Sequence, residues 1–155
     1  METGHADQPA QGRFAGVEHR LPVRVYFEDT DLSGVVYHAN YLRFMERARS
    51  DMLRLAGVDQ RAAHEAGEGA YAVASLAIRY IAPARLDDAL VVATRVTAVR
   101  AASVSIHQRV MRDTLVLAEA EVVAALVAPS GRPRRQPRDW IDRFDALVDK
   151  GDKRP

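Results

Sequence analysis

One amphipathic stripe followed by four β-type runs is the pattern that most restricts what this chain can become. Apolar residues recur at Tyr41, Phe44, Met45, Ala48, Met52, Leu55 and Ala56, with Arg43, Arg47, Ser50 and Arg54 on the opposite side. That spacing predicts a helix over 40–56, with Gly57 as its C-terminal cap. Downstream, residues 71–81, 89–100, 103–111 and 115–127 are rich in Val, Ile, Ala and Thr. Breaks fall at 83–88, at Ala101-Ala102 and at Asp113-Thr114, and the last two are short enough for antiparallel hairpins. An earlier strand alternates at Val23, Val25 and Phe27. The helix needs a broad apolar surface, and the strands supply one. The expected class is α+β: an antiparallel five-stranded sheet wrapped around a long central helix. Trp140, Phe144 and Leu147 add a short C-terminal helix after the Gly- and Pro-marked interruption at 131–137.

A chain of 155 residues suits one domain with a core of its own. Residues 1–19 read as a polar, disordered tail, 20–148 as the domain and 149–155 as a charged tail. The first segment has no apolar h-region, so no secretory signal is expected. The absence of cysteine removes thiol catalysis, cysteine-ligated zinc and disulfides, and suits a reducing cytoplasm. With 22 basic and 21 acidic side chains the net charge is +1, not the basic excess of a nucleic-acid binder. The longest apolar run, 122–128, falls far short of the roughly 20 residues that span a bilayer.

Chemistry concentrates where the first strand gives way to the helix. Two carboxylates, Asp29 and Asp31, precede Gly34, and the helix starts a few residues later. The unpaired N–H groups and dipole of a helix start can hold a developing oxyanion. A carboxylate beside them can attack a carbonyl or activate water. Asp also favours turns and helix caps, so Asp31 has an ordinary structural reading as well. Asp29 reads as a turn residue whose side chain accepts backbone N–H groups. Gly34 fits unusual dihedrals or close approach of a ligand. Glu46, with Arg43 and Arg49 three residues to either side, reads as a surface ion-pair member.

The stretch Asp29-Thr-Asp31-Leu-Ser-Gly34-Val-Val-Tyr-His38-Ala-Asn40-Tyr41, continuing through Phe44-Met-Glu46-Arg-Ala-Arg49, closely resembles the opening of hotdog-fold acyl-CoA thioesterases. The resemblance is to the 4-hydroxybenzoyl-CoA thioesterase superfamily, in its Tol–Pal-associated, YbgC-like branch. Ile78-Arg-Tyr-Ile-Ala-Pro83-Ala-Arg-Leu-Asp-Asp88 resembles that family's opening of the third strand. The likeness runs over about 20–136 and implies a hotdog fold and hydrolysis of an acyl-CoA thioester. It implies Asp31 as the catalytic carboxylate and His38 as its companion, seven residues on. Gly34, Val35, Val36 and Tyr37 are the implied substrate-binding residues, with amides around Tyr37 and His38 meeting the thioester carbonyl. Tyr37 and Tyr41 are packing residues that can also line an acyl pocket. The resemblance further implies no cofactor beyond the coenzyme A of the substrate, acyl carrier protein as an alternative carrier, and a homodimer or homotetramer with sites between subunits.

Other chemistry is poorly served. His5, His19, His38, His64 and His107 lack metal-ligand spacing, and there is no G-x-S-x-G elbow, P-loop or Rossmann fingerprint. Arg132, Arg134 and Arg135 can meet coenzyme A phosphates or form a solvated basic loop. A strand followed by Asp-x-Asp also opens Mg²⁺-dependent phosphatases, with Asp29 as nucleophile. Against this stand the missing alternation of helices and strands and Ser33, where that pattern expects Thr or Val. A non-catalytic acyl-binding or scaffold module of the cell envelope is the remaining alternative.

Overall fold

The computed structural model describes residues 7–148. Strands β1 (Arg13–Ala15) and β2 (Glu18–Arg24) precede helix α1 (Asn40–Leu55) and the short helix α2 (Gln60–Glu65). Strands β3 (Ala70–Tyr80), β4 (Ala89–Val99), β5 (Ser103–Arg112) and β6 (Leu115–Val127) follow, then helix α3 (Arg138–Leu147). One sheet runs in the order β1-β2-β4-β5-β6-β3, with each neighbouring pair antiparallel. This α+β arrangement leaves β3 as one edge and the three-residue β1 as the other.

α1 is where the helical stripe placed it. Tyr41, Phe44, Met45, Ala48 and Met52 are all buried, facing Val92, Val96, Val110, Leu117 and Val122 of the sheet. Gly57 ends the helix at φ +87°, a backbone shape that costs glycine little. Its N–H donates to Arg54 O and the Val58 N–H donates to Leu53 O, the paired bonds of a Schellman cap. The hairpin at Asp113-Thr114 is tight, with Asp113 in the left-handed region at φ +54°.

Three expectations need correction. The sheet has six strands, not five, because Arg13–Ala15 folds back on β2 through a turn at Gly16. Those residues, with Glu18 and His19, fall within the expected tail over 1–19; composition does not mark them because β1 is three residues long and carries one large apolar side chain, Phe14. The first strand also ends early. Val25 is buried as its alternation demands, but Phe27 lies on a 3-10 turn and is 81% exposed. Finally, α2 had no long apolar stripe to announce it and depends on Asp59, whose Oδ1 accepts the Ala62 N–H at 3.0 Å. The charged tail expected over 149–155 lies outside the described residues.

Two buried polar ties fix α1 along its axis. Gln108, on β5, donates through Nε2 to Met45 O at 2.9 Å and to Thr94 Oγ1 at 3.0 Å, and its Oε1 accepts Arg49 Nη1–H at 2.9 Å. Nearer the N-terminal edge, His19 Nε2 lies 2.7 Å from Asp51 Oδ2, which also accepts the Gly12 N–H at 2.9 Å. His19 Nδ1 is buried without a partner among the described residues. Because a carboxylate oxygen only accepts, Nε2 is the donor of the His19–Asp51 pair. Replacing Asp51 by Ala strands the His19 and Gly12 donors together. Asp51→Ala is expected to lose about 1–3 kcal/mol of stability, read as a lower urea midpoint at unchanged slope. A midpoint equal to wild type would show that these residues are not held as described.

Candidate active site

The geometry of the site begins with a captured amide. Asp29 Oδ2 accepts the Tyr26 N–H at 2.8 Å, and Asp29 and Thr30 N–H groups return to Tyr26 O and Phe27 O. The chain therefore leaves β2 through a 3-10 turn, Phe27–Asp29, instead of extending. The other oxygen, Asp29 Oδ1, accepts Asn40 Nδ2–H at 2.8 Å, and the Asp29 carbonyl accepts the Tyr37 N–H at 2.9 Å. Asp29 is buried. It has the backbone-binding role its sequence position suggested, and it leaves no carboxylate oxygen for phosphoryl chemistry.

Asp31 is the opposite case. It is exposed at the head of a tight loop in which the Asp31 N–H donates to Val35 O and the Gly34 N–H to Asp31 O. Its Oδ1 accepts both the Ser33 N–H, at 2.8 Å, and the Ser33 hydroxyl. Oδ2 makes no hydrogen bond among the described residues. The Ser33 hydroxyl, then the Ser33 amide, favour the ionised form and hold this carboxyl below the usual aspartate range. Gly34 turns the loop at φ +83°, with nothing within 4 Å of where a Cβ would stand. The glycine is there for its dihedral, not for protein packing.

Behind this loop α1 starts without a side-chain cap. Its N-cap is Ala39 and no acidic residue occupies its first turn. The Asn40 N–H folds back to Tyr37 O and the Leu42 N–H to Ala39 O, whereas the His38 and Ala39 amides make no hydrogen bond among the described residues. Amides without partners at the positive end of a helix can bind an anion. The family resemblance groups Tyr37 with His38 as an amide donor. Its N–H is spent on Asp29 O, so the pair available is His38 and Ala39. Ala39 was missed because a backbone donor leaves no mark in side-chain chemistry.

The remaining expected residues separate. A hollow of about 490 Å³ is lined by Asp31, Tyr37, Ala39, Asn40 and Arg43, among others. His38 is not in its wall. The imidazole instead packs on Tyr37 at 4.5 Å between ring centroids and edge-on to Tyr80 at 6.3 Å, and its carbonyl accepts the Tyr80 hydroxyl at 2.7 Å. Val35 forms an isolated bridge to Arg85. Val36 is buried in the core and its N–H donates to Ala84 O at 2.8 Å, so neither its side chain nor its amide is open to a ligand. Tyr41 is a packing residue, its hydroxyl accepting the Ala84 N–H at 3.0 Å. The expected Glu46 ion pair does not form. Arg49 turns inward to Gln108 instead, which helical spacing alone placed at the surface. In the basic loop, Arg134 donates to Glu68 O, which ties it down structurally.

A family model described as the thioesterase superfamily matches residues 33–119. The acyl-CoA thioesterase YbgC of Haemophilus influenzae is 50% identical over 107 residues, covering 69% of this chain and 79% of that protein. The chain belongs to the thioesterase superfamily. The acyl-CoA thioester hydrolase YbgC of Escherichia coli is 44% identical over 127 residues, covering 81% of this chain and 94% of the relative. Among solved structures, a probable thioesterase from Bartonella henselae superposes with a TM-score of 0.74 at 37% identity, over 77% of this chain and 99% of the other. These matches establish the hotdog architecture and the YbgC-like relationship that the turn motif suggested.

Within this superfamily member the Ser33 contacts give a direct check on the loop. Removing a donor to the carboxylate weakens the ionised form, so Ser33→Ala is expected to move the Asp31 titration midpoint upward. Carboxyl-carbon NMR across the acid range reads this residue by residue. A midpoint unmoved or lowered would mean that Ser33 does not hold Asp31.

Proposed function

We propose that the chain hydrolyses acyl-CoA thioesters to a free acid and a thiol, with Asp31 and the start of α1 as the reacting centre. The supporting observation is one juxtaposition. An ionised, exposed carboxylate with an uncommitted oxygen shares a hollow with the uncapped end of a helix. Asp31 attacks the thioester carbonyl directly or takes a proton from the water that does. Either path places negative charge on the carbonyl oxygen, where the amide of Ala39, in the wall of the hollow, can receive it. The departing thiol has a pKa of roughly 8.5, so the thiolate leaves without strong acid assistance. His38 supports this end of the helix through Tyr37 and Tyr80. Coenzyme A enters as part of the substrate, and the same chemistry applies to a thioester on acyl carrier protein. The sulfur handle is common to both.

The phosphatase alternative loses its footing in the fold, since the named strands pair only antiparallel and Asp29 is occupied. Among the described residues, no helix is long and apolar enough to cross a membrane. We propose a cytoplasmic location, in keeping with a sequence that contains no cysteine.

The assembly we propose is a homodimer through β3, with pairing into a tetramer open to it. β3 has eleven residues, no proline, and a hydrogen-bonded neighbour on one side only. Val73, Tyr80 and Ile81 on or beside it are exposed apolar side chains, as are Phe27, Leu32 and Tyr37 at the turn. Such edges and patches favour association. Asp31→Asn is expected to fold normally and to lose turnover on acyl-CoA by about 10²–10⁴-fold. Undiminished hydrolysis by that variant would remove Asp31 from the mechanism. Activity is also expected to survive exhaustive chelation. Loss on EDTA with recovery on Mg²⁺ would return the phosphatase reading. Light scattering is expected to give at least twice the 17.1 kDa subunit mass for the active species, and an active monomer would defeat the shared assembly.

A further inference from the structure

Beside the inner face of α1 lies a cavity of about 330 Å³ that the reaction centre does not use. Leu53, Val73, Ile106 and Phe144 give it apolar walls, while Glu46 and Arg49 bring charge to it from successive turns of the helix. Arg49 is the unusual member. It is 9% exposed, makes its one recorded hydrogen bond to the neutral Gln108 amide, and has no carboxylate at ion-pair distance among the described residues. A desolvated guanidinium without an anion is costly, and Arg has five N–H donors to place. Desolvation holds Arg49 below the ordinary arginine range, with Glu46 opposing that effect. The remaining donors are not sealed in, because among the described residues the only buried side-chain polar atom left unmatched is His19 Nδ1.

The edge strand connects this cavity with the reacting centre. Tyr71, Ala72 and Val73 form part of the cavity wall at one end of β3, and Tyr80 contacts His38 at the other. Two copies of β3 paired antiparallel over their full length bring the Tyr71–Val73 stretch of one alongside the Ala77–Tyr80 stretch of the other. The cavity of one subunit then adjoins the helix start of its mate.

We propose that the cavity receives the far end of the acyl group and that Arg49 selects acyl chains ending in an oxygen acceptor, a hydroxyl or a carboxylate, over those ending in methyl. The inference rests on the thioesterase and dimer readings above. A terminal carboxylate supplies the missing anion for Arg49. A terminal hydroxyl accepts from Arg49 and can donate to Glu46, while the apolar walls take the methylene chain.

The test uses three coenzyme A thioesters of equal chain length, ending in methyl, hydroxyl or carboxylate, with the full-length wild type and with Arg49→Met. In wild type, kcat/KM for at least one oxygen-ended substrate is expected to exceed that for the methyl-ended one by roughly tenfold or more, the scale of a charge-assisted hydrogen bond. The ratio is expected to fall toward one in Arg49→Met. Carboxylate ranked first supports recognition of an anion, and hydroxyl ranked first supports a joint reading by Glu46 and Arg49. A wild type that hydrolyses all three with methyl equal or preferred overturns the Arg49 proposal and leaves the thioesterase reading standing. Hydrolysis of none overturns both. A preference that persists in Arg49→Met also overturns the proposal, and the wild-type series decides the matter should that variant fail to fold.

Discussion

The Asp29 carboxylate is the constraint on which the site depends. One oxygen takes a main-chain N–H from the exit of β2, the other takes the Asn40 amide at the start of α1, and the carbonyl takes Tyr37. Three separate points of the chain are thereby referred to one buried residue. The loop bearing Asp31 has little choice but to lie over the helix end. Two aspartates separated by one threonine have thus divided the work, one buried to build the turn and one exposed at its head.

α1 illustrates how stability and activity share a helix. Its C-terminal end is fully dressed, with a Schellman cap at Gly57, while its N-terminal end has alanine where serine, threonine or aspartate would stabilise it by about 1 kcal/mol. The burial of Phe44, Met45 and Met52 against the sheet carries the helix without that cap. The uncapped end adjoins the loop that carries Asp31, the centre of the proposed mechanism. Proteins commonly leave such local deficits where they act.

Periodicity made much of this fold legible. The span of α1, its glycine cap and the two β-hairpins follow from alternation and turn chemistry, because each is set by residues close in sequence. The backbone-binding role of Asp29 was legible for the same reason. The errors involve choices made by distant partners. Arg49 sits on the margin of the helical stripe, and only a glutamine 59 residues away draws it inside. Val36 is alternately placed for solvent or core, and the Ala84 carbonyl decides for core. β1 is defined by pairing with β2 and by the Gly12 amide reaching Asp51, neither of which composition records. The available amides could not be assigned from sequence, since every residue but proline carries one.

The two edges of the sheet are unequal, and this bears on how far association can go. β1 offers three residues and β3 offers eleven. A sheet with two long free edges can add copies at both and grow without limit. In the proposed dimer, a two-fold contact between β3 strands would consume the long edge of each participant and leave the short β1 edges outward. Growth by strand addition stops at two. On that assembly, the shortness of an N-terminal strand easily mistaken for a tail would act as a safeguard against fibre formation, at the opposite edge of the sheet from β3.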